Sequence, residues 1–205
     1  MKYTIALIAL ILILFTLFPD KESQKMHTLT HNDTILAFGD SLTYGFGASA
    51  NESYPAQLQQ RTSLRVINAG VNGETSSEGL ERLPSLLHDS SIKLMLLCMG
   101  GNDILQKQPL SQLKTNLKAM ITLAKSKGVD VLLISVPDIS LFGLSALPLY
   151  EEVAEEEKIP LLHGVFAEIL STPSLKSDQI HPNAQGYKQV AQKIEEALRE
   201  HGWIQ

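Results

Sequence analysis

The sequence contains a serine, a histidine and an aspartate that could together perform nucleophilic chemistry. Ser41 follows a short apolar run, whereas Asp178 and His181 lie near the end of the chain. A serine hydroxyl becomes an effective nucleophile when a base removes its proton, and that base is usually a histidine oriented by a carboxylate. The Asp-x-x-His spacing allows a tight turn to return the Asp178 carboxylate to Nδ1 of His181. Nε2 of the same ring would then face Ser41.

Acyl transfer also requires hydrogen-bond donors for the negatively charged oxygen of its tetrahedral intermediate. The backbone N–H groups of Ser41 and Gly73 and the side-chain amide of Asn102 could supply three, each contributing up to a few kcal/mol in the transition state. Taken singly, Ser41 is better explained as a helix N-cap than as a nucleophile, Gly73 as a turn glycine and Asn102 as part of a turn. The chemical interpretation depends on their positions relative to the predicted strands.

Short apolar runs alternate with longer helical stretches from residue 34 onward. The runs are rich in Ile, Leu and Val without polar alternation, which is typical of strands buried on both faces of a parallel sheet. The predicted strands are Ile35–Phe38, Arg65–Asn68, Leu94–Met99, Val131–Val136 and Ile159–Leu162. Predicted helices begin after Ser53, run from the Thr75–Glu78 capping box to about Leu87, and cover Ser111–Lys127, Tyr150–Lys158 and Pro182–Arg199.

This order of elements predicts an α/β fold, a three-layer α/β/α sandwich with a mainly parallel five-stranded sheet. Ligands of such sheets bind beyond the carboxyl ends of the strands. Ser41, Gly73 and Asn102 follow the first, second and third predicted strands, and His181 directly precedes the last helix. We therefore expect these residues to meet at one edge of the sheet.

The same residues resemble the blocks of a known hydrolase family. Gly39–Leu42 reads GDSL, Gly100–Asp103 reads GGND, and Asp178-x-x-His181-Pro182 follows near the end. With Gly73, these blocks make residues 34–200 similar to the SGNH/GDSL hydrolases, and among them to the multifunctional periplasmic esterases that act as thioesterase, arylesterase and lysophospholipase. The resemblance implies an SGNH-hydrolase (flavodoxin-like) fold and a serine esterase.

The resemblance also implies a role for each site residue. Ser41 would be the nucleophile, His181 the base and Asp178 the residue that orients it, with Ser41, Gly73 and Asn102 forming the oxyanion hole. An acyl-enzyme would form on the serine and be hydrolysed, without a metal or an organic cofactor. Two alternatives stay open at this point: a carbohydrate O-deacetylase of the same fold, and a membrane-tethered binding module without turnover.

The stretch Asp138–Tyr150 is unusually apolar for a segment that follows a strand. We expect it on the ligand edge of the sheet, either as an acyl-chain groove or cover that includes Phe142, Leu144 and Leu147, or as residues that pack beneath a loop. The predicted substrate is accordingly a small or lipid-like acyl ester.

Charge and cysteine content exclude several other classes of function. The chain has 17 Lys+Arg and 22 Asp+Glu among 205 residues. Residues 1–26 carry a net +1 of the total −5, so residues 27–205 carry −6. Nucleic-acid binding requires clustered basic residues, which this acidic part lacks. The single cysteine, Cys98, excludes an intrachain disulfide and a zinc site built from several cysteines.

The N-terminus has the form of an export signal. Lys2 precedes the uncharged run Tyr3–Phe18, whose 16 residues would form a helix of about 24 Å. No small-x-small cleavage site follows, so residues 1–18 are predicted as a signal peptide or a signal anchor that tethers the chain to the inner membrane. Residues 19–32 are predicted as a linker and residues 33–205 as the hydrolase domain. The domain would then be periplasmic or anchored on the outer side of the inner membrane.

Overall fold

The structure, a computed structural model, describes residues 27–140 and 143–205. Its main sheet has five parallel strands in the order β2-β1-β3-β4-β7. These are β1 (Thr34–Gly39), β2 (Arg65–Gly70), β3 (Ile92–Cys98), β4 (Asp130–Ile134) and β7 (Leu161–Leu162). The prediction of a mainly parallel five-stranded sheet is thus confirmed.

Helices flank this sheet in two groups, which completes the three-layer architecture. The helices are α1 (Ser41–Tyr44), α2 (Tyr54–Thr62), α3 (Ser76–Leu86), α4 (Gly101–Leu105), α5 (Leu110–Ser126), α6 (Pro148–Glu157), α7 (Val165–Ser171) and α8 (Ala184–Glu200). Helix α2 packs on α8, which also contacts α7, whereas α3 packs on α5, which also contacts α6. Two 3₁₀ turns cover Ala50–Glu52 and Pro173–Leu175.

Two inner strands of the sheet, β1 and β3, are almost completely buried. Every residue of β1 is buried, and β3 is buried except at Lys93. Because helices cover both faces, the inner strands need no polar alternation, which explains their continuous apolar runs. Sequential strands are joined by helical crossovers, so all five carboxyl ends fall on one edge.

Two parts of the fold differ from the expectation. The apolar stretch after β4 contains a second, antiparallel sheet of β5 (Pro137–Ser140) and β6 (Gly143–Ala146). The predicted strand Ile159–Leu162 is shorter and pairs with β4 through Leu161 and Leu162, since Pro160 has no N–H to donate. The short helices α1, α4 and α7 were also missed.

The chain enters the domain at the edge opposite the carboxyl ends of the strands. Leu29 is buried, and its N–H donates to the Trp203 carbonyl at 2.7 Å. The Thr34 N–H, at the start of β1, donates to the Ser91 carbonyl before β3 at 2.8 Å. The last residues of the predicted linker therefore pack on the domain.

The predicted signal or anchor lies outside the described residues. Among the residues that the structure does describe, none belongs to a helix long and apolar enough to cross a membrane.

Candidate active site

Ser41 lies where β1 ends and α1 begins, at the carboxyl edge of the sheet. Asp40 caps α1, because its Oδ1 accepts the Leu42 N–H at 3.0 Å. The preceding Gly39 is packed so tightly that an added Cβ would lie 2.1 Å from the Cys98 carbonyl oxygen. A side chain at Gly39 would force β1 away from β3, so the glycine lets the strand end in the sharp turn that presents Ser41.

His181 and Asp178 share one turn between α7 and α8. The turn is closed by the Ser177 N–H, which donates to the His181 carbonyl at 2.9 Å. Within it, Oδ1 of Asp178 accepts the backbone N–H groups of Ile180 and His181, both at 2.8 Å. The aspartate is therefore held by its own turn before it contacts the imidazole.

The turn places the imidazole between a carboxylate and a hydroxyl. His181 Nδ1 lies 2.9 Å from Asp178 Oδ2, and its Nε2 lies 2.9 Å from Ser41 Oγ. Ser41 is half-buried, His181 is buried, and Asp178 is exposed at the rim. The geometry allows proton transfer from the serine hydroxyl to Nε2 while Nδ1–H donates to the aspartate.

Hydrogen bonds keep the Asp178 carboxyl ionised. Its partial burial alone would raise the pKa, but hydrogen bonds from the His181 ring and from the backbone N–H groups of Ile180 and His181 hold the pKa below its usual value of 3.8. An ionised Asp178 is the form that stabilises a positive charge on the imidazole.

Asn102 joins Ser41 in the same cleft. It lies in α4, and its Nδ2 donates to the Glu74 carbonyl at 2.9 Å. One amide hydrogen is thereby fixed, and the second can point toward an oxyanion beside Ser41. Gly73, directly before Glu74, is exposed with φ of +79° and is not among the residues that line the cleft. Its nearness to Ser41 therefore stays a prediction.

The cleft beside Ser41 combines polar groups with an apolar wall. Its lining consists of Asp40, Ser41, Leu42, Gly101, Asn102, Leu105, Val136, Pro137, Ile180 and His181.

Of the three residues expected to form an acyl groove, two do not line the cleft beside Ser41, and the third lies outside the described residues. Leu144, on β6, is half-buried and absent from the cleft lining. Leu147 borders a separate depression with Leu110 and Leu149. Phe142 is outside the described residues. The apolar wall comes instead from positions that sequence reasoning did not select, such as Leu105 and Ile180.

Buried carboxylates brace the loops that carry the site. Asp103 Oδ2 accepts the Ser76 N–H at 2.8 Å, and the Ser76 hydroxyl contacts both Asp103 and Asn116. This contact links α4, which carries Asn102, to the start of α3. Asp103, the aspartate of GGND, therefore fixes the connection from β3 to α4 relative to the connection from β2 to α3.

A second brace joins the ends of β1 and β2. Arg82 Nη2 donates to Glu74 Oε2 at 2.6 Å and to the Ala69 carbonyl at 2.8 Å, with a longer contact of 3.4 Å to the Gly39 carbonyl. Its guanidinium also lies 4.2 Å from the centre of the Phe38 ring. No sequence spacing identified this network, because its members come together only when the strands pair.

Asp40 lies behind the nucleophile in a fully buried position. Its Oδ2 accepts the Gly101 N–H at 3.2 Å, which connects the first and third strand ends. Burial raises the pKa of the Asp40 carboxyl to about 7, against the opposing effect of the Leu42 and Gly101 N–H groups.

Comparison with known protein families shows which family has this set of residues. Residues 37–189 match the model of the GDSL-like lipase/acylhydrolase family, which is most of the chain. The chain belongs to this family. The matched region includes the ends of β1, β2 and β3 and the turn of Asp178 and His181, so every polar cluster of the site lies within it.

Named relatives of this GDSL-like chain are hydrolases. The thioesterase 1/protease 1/lysophospholipase L1 of Escherichia coli (strain K12) is 32% identical over 176 residues, covering 82% of this chain and 84% of the relative. The arylesterase of Vibrio mimicus is 27% identical over 180 residues, covering 83% and 90%. A crystal structure of TesA superposes with a TM-score of 0.73 at 28% identity, covering 82% of this chain and 99% of that structure.

Among the described residues, no group of three or more His, Cys, Asp or Glu side chains is arranged to hold a metal ion. Cys98 is buried, and burial raises the pKa of its thiol well above the usual value. The thiol is therefore kept in its unreactive neutral form.

Proposed function

We propose that the chain is a serine ester hydrolase in which Ser41, His181 and Asp178 carry the reaction. The observation that supports this assignment is the continuous contact of the three side chains, at 2.9 Å from Ser41 Oγ to His181 Nε2 and at 2.9 Å from Nδ1 to Asp178 Oδ2. Membership of an acylhydrolase family gives the same reaction class.

The reaction proceeds through two tetrahedral intermediates. Ser41 Oγ attacks the acyl carbonyl as its proton passes to His181 Nε2, and His181 then protonates the departing alcohol or thiol. Water then attacks the acyl-enzyme as its proton passes to the same nitrogen, and His181 returns that proton to Ser41 Oγ as the acid departs. The Ser41 and Gly73 N–H groups and the Asn102 amide stabilise the oxyanion in both steps.

The substrates we propose are aryl esters, acyl thioesters and lysophospholipids. Relatives named as thioesterase, lysophospholipase and arylesterase support this range. The apolar lining of the cleft by residues such as Leu105, Val136 and Ile180 favours an acyl chain over an acetylated glycan. A carbohydrate O-deacetylase would need polar groups for sugar hydroxyls at the same wall.

We also propose export, with the domain periplasmic or held outside the cytoplasm by residues 3–18. The support is the sequence of that segment, a lysine followed by 16 uncharged residues.

A direct test measures labelling and turnover together. Wild-type protein should hydrolyse p-nitrophenyl esters and be labelled by a fluorophosphonate, and Ser41→Ala should abolish labelling and lower kcat by at least about 10³-fold. Longer acyl esters should be preferred over acetylated xylan. A protein that binds esters without turnover, or that is labelled equally in Ser41→Ala, would contradict the proposal.

A further inference from the structure

Phe46 lies on a short loop between two glycines, just after the helix that begins with Ser41. Gly45 and Gly47 have φ values of +94° and +90°, a conformation that favours glycine. The Phe46 N–H donates to the Ser41 carbonyl at 3.1 Å. The two glycines therefore allow the chain to curl back, so that the residue between them returns toward the nucleophile.

The loop is fixed from two further sides. A Cβ on Gly47 would lie 2.1 Å from Ser177 Oγ and 2.8 Å from the Pro182 carbonyl oxygen, so the loop packs directly on the turn that carries His181. The hydroxyl of Tyr187, whose side chain is buried, donates to the Phe46 carbonyl at 2.8 Å. The backbone of Phe46 is thus tied to both α1 and α8.

The ring of Phe46 lies against the imidazole of His181. Their centroids are 4.5 Å apart and the planes are inclined by 44°. Phe46 is 46% exposed, so it contributes little to the core. Phe46 is not among the residues that line the cleft beside Ser41, although His181 is.

We propose that Phe46 is a positioning residue that acts through His181, an inference that rests on the proposed function. Its ring holds the imidazole in line between Asp178 and Ser41. During attack the Ser41 O–H bond breaks, the proton bonds to Nε2, and a positive charge forms on His181. An aromatic ring within about 6 Å attracts a cation, so the same contact becomes stronger as that charge develops.

The test uses a reagent that has no acyl chain, so that contact with an acyl group cannot contribute. Diisopropyl fluorophosphate reacts at Ser41 with loss of fluoride, and its second-order rate constant reports the Ser41–His181 pair. In the full chain, Phe46→Ala and Phe46→Leu should slow this reaction by about three- to tenfold, because both remove the ring. Phe46→Tyr should react within about twofold of wild type, since it retains the ring.

Tyr44→Ala is the matched control. Tyr44 lies in the same segment and is 51% exposed, and its ring is not paired with His181 among the described aromatic contacts. Its removal should leave the rate unchanged. For p-nitrophenyl acetate, the Phe46 variants should lower kcat with KM nearly constant.

The outcomes separate this inference from the proposed function. Wild-type rates in Phe46→Ala or Phe46→Leu, or losses confined to KM, would overturn the positioning role while leaving the esterase intact. Failure of the wild-type protein to react would instead contradict the proposed function. Unfolding midpoints measured in parallel should agree among all variants, and a lowered midpoint that accounts for the lost rate would overturn the inference.

Discussion

Asp178 serves two purposes at the scale of single residues. Its carboxylate accepts two backbone N–H groups of its own turn as well as His181 Nδ1. The first contacts shape the turn, and the last sets the orientation of the imidazole. A single side chain therefore both builds the loop and orients the base that the loop carries.

Substitution of Asp178 can separate these two effects. Asp178→Asn keeps an oxygen for the backbone N–H groups, but it removes the charge opposite Nδ1 and favours the wrong tautomer. We expect kcat for p-nitrophenyl acetate to fall by at least about 10²-fold with little change in the unfolding midpoint. Asp178→Ala should lower both. Retention of more than about a tenth of kcat in Asp178→Asn would contradict the assigned role.

Asp40 gives a prediction on pH and stability. Its pKa is raised from 3.8 to about 7 in the folded protein, so between these values the native state binds more protons than the unfolded state. The free energy of unfolding of wild type should therefore fall relative to that of Asp40→Asn as pH rises from about 4 to about 7, by on the order of a few kcal/mol. Denaturant titrations of both proteins across this range measure the difference. A difference that stays constant with pH would show that Asp40 does not titrate there.

The candidate catalytic pair of Asp178 and His181 was predictable because the two residues are close in sequence. Asp178 and His181 are three positions apart, and their contact at 2.9 Å follows from one turn. The braces beneath the site were not predictable in this way. Asp103 contacts Ser76 only because the pairing of strands brings α3 and α4 together. Arg82 likewise reaches the Gly39 and Ala69 carbonyls together only because β1 and β2 pair.

At the scale of elements, the buried Ser76 hydroxyl joins α3 to α4 and α5. It contacts Asp103 and accepts from Asn116 at 2.8 Å. Ser76→Ala leaves those two buried partners short of one hydrogen bond each, so we expect the free energy of unfolding to fall by about 1–3 kcal/mol. Because α4 carries Asn102, kcat should fall as well. Urea denaturation and ester kinetics measure the two effects.

Ser77→Ala is a suitable control for this prediction. Ser77 is exposed and also contacts the Asn116 amide, at 3.0 Å. Its removal should change the free energy of unfolding by less than about 0.5 kcal/mol. Equal effects of the two substitutions would mean that the Ser76 hydroxyl has no special part in joining the elements.

Helices and strands were predictable where the sequence carries one clear signal, such as a capping box or a continuous apolar run. The capping box of Thr75 and Glu78 opens α3 as expected, and the continuous apolar runs became β1, β3 and β4. The hairpin of β5 and β6 was not predicted. Polar and apolar residues do alternate in it, as at Asp138, Ile139 and Ser140, but each strand has only four residues, so the alternation is too short to stand out. Helix α7 did show apolar pairs at helical spacing after Gly164, a signal that would have identified it.

At the scale of the whole molecule, the chain entry and the cleft lie at opposite edges of the sheet. Leu29 packs beside Trp203 at the amino edge, whereas Ser41 follows the carboxyl end of β1. Removal of residues 1–26 should therefore leave kcat and KM for soluble esters unchanged within about twofold. Steady-state kinetics of the shortened and full chains check this expectation.

The segment that follows residue 26 should be needed for stability. Leu29 is only 8% exposed, and Leu29→Ala should lower the free energy of unfolding by about 2–5 kcal/mol. A strong loss of activity on removal of residues 1–26 would contradict the separation of the two edges. An unfolding midpoint of Leu29→Ala equal to that of wild type would instead contradict the stabilising role of the entry segment.

The contact between Ser41 and His181 joins residues 140 positions apart in the chain. Closing this loop requires the five strands and the last crossover to be in place. Pairings that are distant in sequence form late and slowly during folding. During refolding, labelling of Ser41 by a fluorophosphonate should therefore return only when the complete topology has formed. Far-ultraviolet circular dichroism should recover earlier, as soon as the helices form.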